Sequence, residues 1–405
     1  MKLAAWLEKI QKLHPVKWDL GLERVGEVGR ILDLLKPAAK VFIVAGTNGK
    51  GSTCEYLASY CQALNVSYGK ATSPYISAYN EQIVVNGRPV SDDTISAAFA
   101  EIDQARGAIS LSYFEFGALA AMLIFKQCKV DVAILEVGLG GRLDAMNIVQ
   151  PDVSVITRIA LDHQNWLGDS REAIAVEKAG VMRRNVPVVI VDPEPPYSLI
   201  NEADRQGAVA KVIQQDFQLV GDQLVIDGQT FHLPETRLPL PSAIAATVAF
   251  LAAGYPLDQK IVTSALESGQ LSGRFQKVPG SPGLILDVAH NPDAAGYLLN
   301  KLEREGYESL QAVVGLYQDK DIAGVFQHLS PIIGGWHFID LPGERGASAD
   351  YLQAVLSDSC GLSGKTYDKV ALAIDAAKSC SGPEGTVLVF GSFLTVAAVL
   401  DYLDS

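Results

Sequence analysis

Lys50 stands between two glycines in Gly46-Thr47-Asn48-Gly49-Lys50-Gly51-Ser52-Thr53, and a cation, hydroxyls and glycines at this spacing suit one task above others, holding the phosphates of a nucleotide. Gly46, Gly49 and Gly51 let the main chain turn tightly and aim successive N–H groups inward, where the start of a following helix adds partial positive charge. Lys50 reaches the outer phosphates, and the hydroxyl of Ser52 or Thr53 is a hard ligand for a magnesium ion riding on them. The stretch departs from the usual Gly-x-x-x-x-Gly-Lys-Ser/Thr pattern, with Val44 in place of its first glycine and Gly51 in place of its hydroxyl residue, so a variant loop is expected. An ordinary glycine-rich turn gives no reason for a lysine flanked by glycines and followed by Ser-Thr.

Other residues that could do chemistry sit just past apolar runs. Glu136 closes the run 130–136, Ser73 lies in Thr72-Ser73-Pro74-Tyr75, and His163 follows the run 153–157 in Asp162-His163. If those runs are parallel strands, all three residues fall at one sheet edge, where ligands bind in open α/β sheets. Magnesium prefers oxygen, so His163 is an unusual partner for Ser73 and Glu136, and each taken singly also has an ordinary structural reading. Lys178, beside Glu177 in a helical pattern, reads by default as a solvated lysine. In Asp287-Val288-Ala289-His290-Asn291-Pro292 the acid ends a strand and His290 precedes a helix that Pro292 can begin; Asp319-Lys320-Asp321 reads as a charged turn.

The elements that must position these groups alternate. Strands are expected at 41–45, 68–71, 130–136, 153–157 and 186–191, with helices at 53–64, 114–127 and 243–253, the pattern of a doubly wound, mostly parallel sheet. Asn86-Gly87 within 83–90 is a hairpin signal, and Ser91-Asp92-Asp93 caps a following helix. At the start, Leu3, Trp6, Leu7, Ile10 and Leu13 keep helical period until Pro15, with His14 and Asp19-Leu20 in or beside an irregular stretch. The Gly-, Pro- and Ser-rich stretch 273–282 reads as a linker, dividing the chain into a first domain at 1–272 and a smaller Rossmann-like α/β domain at 283–405, whose strands are expected at 284–287, 312–314, 336–339 and 387–390.

Composition narrows the function classes. A chain of 405 residues suits two domains, and a net charge of -13 repels nucleic acid, so an anion must be held by a local arrangement. No apolar run approaches a membrane span and the first residues lack a signal-peptide core, so a cytoplasmic protein is expected. Cys54, Cys61, Cys128, Cys360 and Cys380 are scattered, without the close pairs of a zinc site or a disulfide framework, and read as reduced thiols.

Taken in order, the phosphate loop, Leu135-Glu136-Val137-Gly138-Leu139-Gly140-Gly141-Arg142-Leu143-Asp144-Ala145, Leu161-Asp162-His163, Glu177-Lys178-Ala179-Gly180, Gly273-Arg274-Phe275 and Asp287-Val288-Ala289-His290-Asn291-Pro292 resemble the folylpolyglutamate synthase and dihydrofolate synthase family of the Mur ligase superfamily. The resemblance spans nearly the whole chain. It implies an ATP-dependent amide ligase that joins L-glutamate to a folate carboxylate through an acyl phosphate, with ATP and Mg2+ as cofactors, and a monomer that binds no nucleic acid and no membrane. It further implies that Ser73, Glu136 and His163, with Ser52, hold magnesium, that Lys178 is carbamylated, and that Arg274 and Asp287 contact the nucleotide bound by the loop 46–52. Lys50, Lys178 and His290 would be catalytic, with His290 and Ser392 placing the glutamate or the acyl phosphate. His14, Leu20, Ser112-Tyr113-Phe114-Glu115 and Leu143-Asp144-Ala145 resemble the pterin-binding parts of bacterial members that accept dihydropteroate, which implies a bifunctional enzyme.

The chain also departs from the family's pattern. Tyr75 stands where histidine follows Ser-Pro, Gln82 where arginine follows Asn-Glu, Met146 for a threonine and Ser242 for an asparagine. Replacing arginine by Gln82 removes a bidentate fork for a carboxylate. A sibling ligase joining another acid and amine is therefore the alternative, and a nucleotide-binding protein that has lost ligation is the rival from another class. Lys178, Arg274 and His290 count against the latter, since phosphate holding alone does not need them.

Overall fold

The computed structural model describes residues 1–14 and 20–404, and the chain divides into two compact units, Met1–Gln270 and Leu271–Ser405. Pro15 and Asp19 lie outside the described residues. Among the described residues no helix is long and apolar enough to cross a membrane.

The first unit is built on β1 (Lys40–Ala45), β2 (Tyr68–Ala71), β3 (Ile83–Val85), β4 (Arg88–Pro89), β5 (Val132–Glu136), β6 (Val153–Ile156), β7 (Pro187–Ile190) and β8 (Val209–Val212), in spatial order β4-β3-β2-β5-β1-β6-β7-β8. From β2 to β8 neighbouring strands are parallel; β3 and β4 form an antiparallel hairpin at one edge, turned by Asn86 and Gly87 at φ +48° and +81°. Strands of this parallel kind are covered on both faces, which is why β1 and β5 are almost uninterrupted Val, Ile, Leu and Phe and are buried along their length. Register then aligns the strand ends. Val44 pairs with Glu136, Ala45 with Ile156 and Ala71 with Leu135, so the chain leaves β1, β2, β5 and β6 at one edge.

Helix packing fixes that edge. The helix Tyr113–Cys128 buries Phe116, Leu119, Met122, Leu123 and Phe125, and Gly69 in β2 has no side chain because the Phe125 ring occupies the space a Cβ would need. The helix after the loop spans Lys50–Ala63 and not 53–64: Gly49, at φ +88°, makes the turn, so Lys50, Gly51 and Ser52 already belong to the first helical turn. The opening helix Leu3–Leu13 buries Leu3, Trp6 and Ile10 and ends with His14 in extended backbone.

Two features differ from the expectation. Residues 209–232 hold, after β8, an antiparallel three-stranded sheet of β9 (Phe217–Val220), β10 (Gln223–Ile226) and β11 (Gln229–His232), which sequence reading passed over. Its turn signals, Gly221 at φ +64° and Asp227-Gly228 at +48° and +75°, were in plain view, but only Phe217, Leu224, Ile226 and Phe231 give it an apolar face. The stretch 273–282 is not a linker either. It carries β12 (Gln276–Val278), which pairs antiparallel with β13 (Gly283–Leu286), and Pro279-Gly280-Ser281-Pro282 is the turn between them. Composition marked a chain reversal, and a reversal inside a sheet has the same composition as one between domains.

The second unit's sheet adds β14 (Leu310–Val314), β15 (Ile333–Ile339), β16 (Lys365–Tyr367) and β17 (Thr386–Phe390), in order β12-β13-β17-β14-β15-β16, parallel except for β12. The strands expected at 284–287, 312–314, 336–339 and 387–390 fall on β13, β14, β15 and β17. Phe326, Trp336, Phe338 and Phe390 form an aromatic core on this sheet.

Candidate functional site

Past β1 the chain forms the loop 46–49. Gly46 takes φ +147°, and any Cβ there would run into the Thr157 hydroxyl. Thr157 Oγ1 donates to the Asn48 carbonyl at 2.7 Å, and Ser242 Oγ donates to the Gly49 carbonyl at 3.2 Å. Thr47 is bonded on both sides: its N–H donates to the Arg158 carbonyl at 2.7 Å, while its hydroxyl donates to Ala160 C=O at 3.0 Å and accepts from Ala160 N–H at 3.1 Å. With the carbonyls and one N–H tied outward, the helix Lys50–Ala63 begins without a side-chain cap and without an acid in its first turn, so no side chain of that turn offsets its positive end. The Lys50 ammonium donates to the carbonyls of Gly46 at 3.0 Å and Thr47 at 3.2 Å.

Lys178 is a buried residue, not the solvated lysine of the default reading, and its ammonium donates to the Gly46 carbonyl at 2.8 Å. The cause is close approach of two glycine-bearing segments. A Cβ on Gly141 would sit 2.9 Å from the Glu177 carbonyl, one on Gly180 would overlap Arg142, and Arg142 N–H donates to the Glu177 carbonyl at 2.8 Å. The helix Arg171–Ala179 is thereby drawn onto the loop 138–145, with Lys178 inside. Burial, assisted by the Lys50 charge, pulls the Lys178 ammonium down to about 7, against the raising effect of Asp162 and Asp144. Asp144, also buried, accepts N–H bonds from Leu139 and Met146, each at 2.9 Å. Burial pushes its carboxyl up to about 6, and those N–H bonds and Lys50 only partly offset it.

The structure brings Ser73 and Glu136 together: Ser73 N–H donates to Glu136 Oε2 at 3.0 Å across neighbouring strand ends. Glu81 shapes that loop by accepting the N–H groups of Ile76, Ser77 and Ala78 at 2.8, 2.9 and 2.8 Å. His163, at φ +52°, precedes the short helix Gln164–Leu167; its N–H donates to Asp162 Oδ1 at 2.8 Å and its Nε2 lies 3.9 Å from Asp162 Oδ2. Among the described residues no three His, Cys, Asp or Glu side chains gather as a metal-ligand cluster. A single carboxylate, Glu136, beside the hydroxyl residue Ser73 fits a hard cation that arrives carried on phosphates.

Residues expected to touch a pterin divide by what they are bonded to. Ser112 and Glu115 form a capping box at the start of Tyr113–Cys128, and Glu115 pairs with Arg24 at 3.1 Å, so both hold that helix end in place. Tyr113 and the departing Tyr75 both set their rings edge-on to Tyr79, each at 5.9 Å, and the Phe114 ring lies against Gly138. Leu20 packs partly buried on the first unit's core, His14 Nδ1 lies 3.2 Å from Ser110 Oγ, and Leu143 and Ala145 flank Asp144, which caps the short helix Ala145–Ile148. Met146 is buried, and the Gln82 carbonyl accepts from Thr72 N–H at 3.0 Å.

In the second unit Asp287 lies just past β13, and its carboxylate accepts N–H groups from Phe275 and Ala289, both at 2.8 Å. Burial raises its carboxyl and the Arg274 charge lowers it. The Arg274 guanidinium lies 5.3 Å from the centre of the Phe393 ring, beside Ser392. Val288 C=O accepts from His290 Nδ1 at 2.8 Å, which in the neutral ring makes Nε2 the acceptor nitrogen. Ser392 is a buried helix cap whose Oγ accepts from Thr395 N–H at 3.0 Å, so its hydroxyl is already engaged. Sequence reading singled out neither Glu81 for the loop 73–78 nor Thr157; only the position of Thr157 at the end of an expected strand could have pointed to it.

Comparison with known proteins bears on the family. Residues 44–219 match the Mur ligase middle domain and residues 273–393 the Mur ligase glutamate ligase domain. The chain is 43% identical to the dihydrofolate synthase/folylpolyglutamate synthase of Escherichia coli K12, over 100% of this chain and 96% of that protein, and 38% identical to that of Haemophilus influenzae, over 98% and 96%. Among solved structures, E. coli FolC in complex with DHPP and ADP superposes with a TM-score of 0.96 at 43% identity, covering 100% of this chain and 98% of that one. The Yersinia pestis bifunctional folylpolyglutamate synthase/dihydrofolate synthase with Mn, AMPPNP and L-glutamate bound gives 0.94 at 42%, covering 100% and 98%.

Proposed function

We infer from one premise, that this chain belongs to the dihydrofolate synthase/folylpolyglutamate synthase family of Mur ligases, that it is an ATP-dependent ligase adding L-glutamate to dihydropteroate and to the γ-carboxylate of tetrahydrofolates. The acceptor carboxylate attacks the γ-phosphorus of ATP, releasing ADP and forming an acyl phosphate. The amine of glutamate then adds to the acyl carbon; phosphate leaves, and the amine's proton is lost to solvent or a base. A carboxylate attacking a phosphate must overcome anion repulsion, and the loop offsets it with main-chain N–H groups, the helix start and Lys50. The single observation that carries this reading is the uncapped start of Lys50–Ala63 with both Lys50 and the buried Lys178 gathered on Gly46 C=O.

A divalent cation accompanying the nucleotide would be held by Ser73, Glu136, His163 and Ser52, and it would neutralise phosphate charge. We assign magnesium as that cation. A lysine pulled to about 7 is substantially neutral near physiological pH, and a neutral amine adds to carbon dioxide, giving a carbamate and a proton. This supports carbamylation of Lys178, which turns a cation beside the phosphate loop into an anion. In the second unit Arg274 and Asp287 would serve the nucleotide and His290 the glutamate or the acyl phosphate, with Ser392 acting through the helix end it caps. Tyr113, Phe114, Leu143, Asp144, Ala145, His14 and Leu20 are proposed to face the pterin, while Ser112 and Glu115 fix the helix beneath it. A cytoplasmic monomer goes with this reading.

Phosphate release by the purified protein, with glutamate present and dihydropteroate, tetrahydrofolate or no acceptor compared, tests the proposal. Release with both pterins and not without them is expected. Silence with both, together with release for some other acid and amine, would point to a sibling ligase. Carbon-13 bicarbonate should give a carbamate resonance that is lost in Lys178→Ala, along with turnover; full activity in that variant would remove the assignment.

A further inference from the structure

Asp192, just past β7, is fully buried and belongs to none of the groups assigned above. Its carboxylate gathers four donors. Oδ2 accepts from Ile159 N–H at 2.8 Å and Arg171 Nη2 at 3.0 Å; Oδ1 accepts from Arg158 Nη1 at 3.1 Å and Glu194 N–H at 3.0 Å. Arg171 reaches further, with Nε donating to Ile159 C=O at 2.8 Å and Nη2 to Glu194 C=O at 2.8 Å. The peptide groups on both sides of Ile159 are therefore gripped by one ion-pair network.

What that network grips is the segment 158–160, which is the segment Thr47 is bonded to. Thr47 N–H meets Arg158 C=O, and its hydroxyl meets both the C=O and the N–H of Ala160. The chain of contacts thus runs from Asp192 through Ile159 to Thr47, the second residue of the phosphate loop, within one unit and with no bond in it longer than 3.1 Å. A buried ion pair contributes little net stability, because desolvation offsets most of its attraction, but it fixes geometry strongly. Here the geometry fixed is that of a loop whose main-chain N–H groups must point at phosphates.

We propose that Asp192 is a positioning residue for nucleotide binding: held by Arg158 and Arg171, it sets the 158–160 segment against which Thr47 registers the phosphate loop. The proposal rests on the reading that the loop binds ATP, and it extends that reading to a residue that touches no substrate. Asp192→Asn keeps the shape and removes the charge and two of the acceptor lone pairs that the four donors share.

The experiment measures the MgATP Kd of the full-length protein by calorimetry below the onset of melting, the KM for glutamate by phosphate release, and the melting temperature. Asp192→Asn is expected to weaken MgATP about tenfold while the glutamate KM stays within about twofold of wild type. Arg171→Gln, which keeps the carboxylate but loses the grip on Ile159 C=O, should weaken MgATP in the same direction by less, and it carries the test if Asp192→Asn does not fold. In the double variant with Thr47→Val, the MgATP effects should fall short of the product of the singles, because both act on one chain of contacts. Unchanged MgATP affinity in the folded variants, multiplicative effects with Thr47→Val, or an equal rise in the glutamate KM would overturn it. If wild type itself binds no MgATP, the underlying reading fails first; if wild type binds and the variants bind equally, only this inference fails.

Discussion

Each unit of this chain sends a parallel strand into a loop and then a helix, and the two loops treat the same problem in opposite ways. After β1 the helix Lys50–Ala63 starts on a left-handed glycine with no side-chain cap and no acid in its first turn. After β13 the helix Pro292–Arg304 is capped by Asn291, which accepts from Ala294 N–H at 2.9 Å, has Asp293 in its first turn, and follows Asp287, whose carboxylate takes the Phe275 and Ala289 N–H groups. The second loop meets its donors with its own side chains; the first is built to meet them with something negative from outside. A strand-loop-helix unit becomes an anion site by leaving its helix start uncapped and adding a cation.

The sharpest attempt to break this contrast is Lys50→Ala, which should cut pterin-dependent phosphate release about 10³-fold while leaving the melting temperature near wild type. Retention of a tenth of the activity would remove the distinction between the loops. Next comes Gly46→Ala. Its Cβ would collide with the Thr157 hydroxyl at a φ of +147°, so MgATP affinity should fall about 10²-fold, with part regained in the double variant with Thr157→Ala. The second unit offers the control: Gly296, inside the helix Pro292–Arg304, has the His328 ring 3.5 Å from an added Cβ, and Gly296→Ala should raise stability by up to about 1 kcal/mol.

A further effect separates by pH. Asp144 holds its proton in the folded chain up to about 6, against 3.8 as its ordinary value, so in that interval the folded state is protonated where the unfolded state is not. Raising the pH from about 4 to about 6 therefore removes stability from wild type and not from Asp144→Asn, a relative change on the order of 2 kcal/mol in denaturant titrations. A gap between the two proteins that is flat over this interval would mean the carboxyl is not held up by burial. At the capped loop the effect is also small: Asn291→Ala should cost about 1 kcal/mol of stability by thermal melting.

The structure also shows where reading residues in order succeeds and fails. Contiguous chemistry was legible: the phosphate loop, the apolar strands on either side of it and the Asn86-Gly87 hairpin all follow from neighbours in sequence. Lys178 was not, because a Glu-Lys pair in a helix looks the same whether the helix faces water or is pulled inward. Its burial depends on Gly141 and Gly180 letting two segments touch. Likewise 273–282 has a linker's composition, and only strand pairing with β13 makes it part of a sheet.

By itself, then, the order of residues determined the alternation of strands and helices and the cation-bearing glycine turn, since periodicity and turn chemistry act over a few neighbouring residues. The register of Val44 beside Glu136, the descent of Lys178 to about 7 and the gathering of Arg158, Arg171 and Ile159 on Asp192 were decided in three dimensions. Desolvation and charge coupling depend on distance through space, and groups far apart along the chain acquire those distances only when the sheet closes around them.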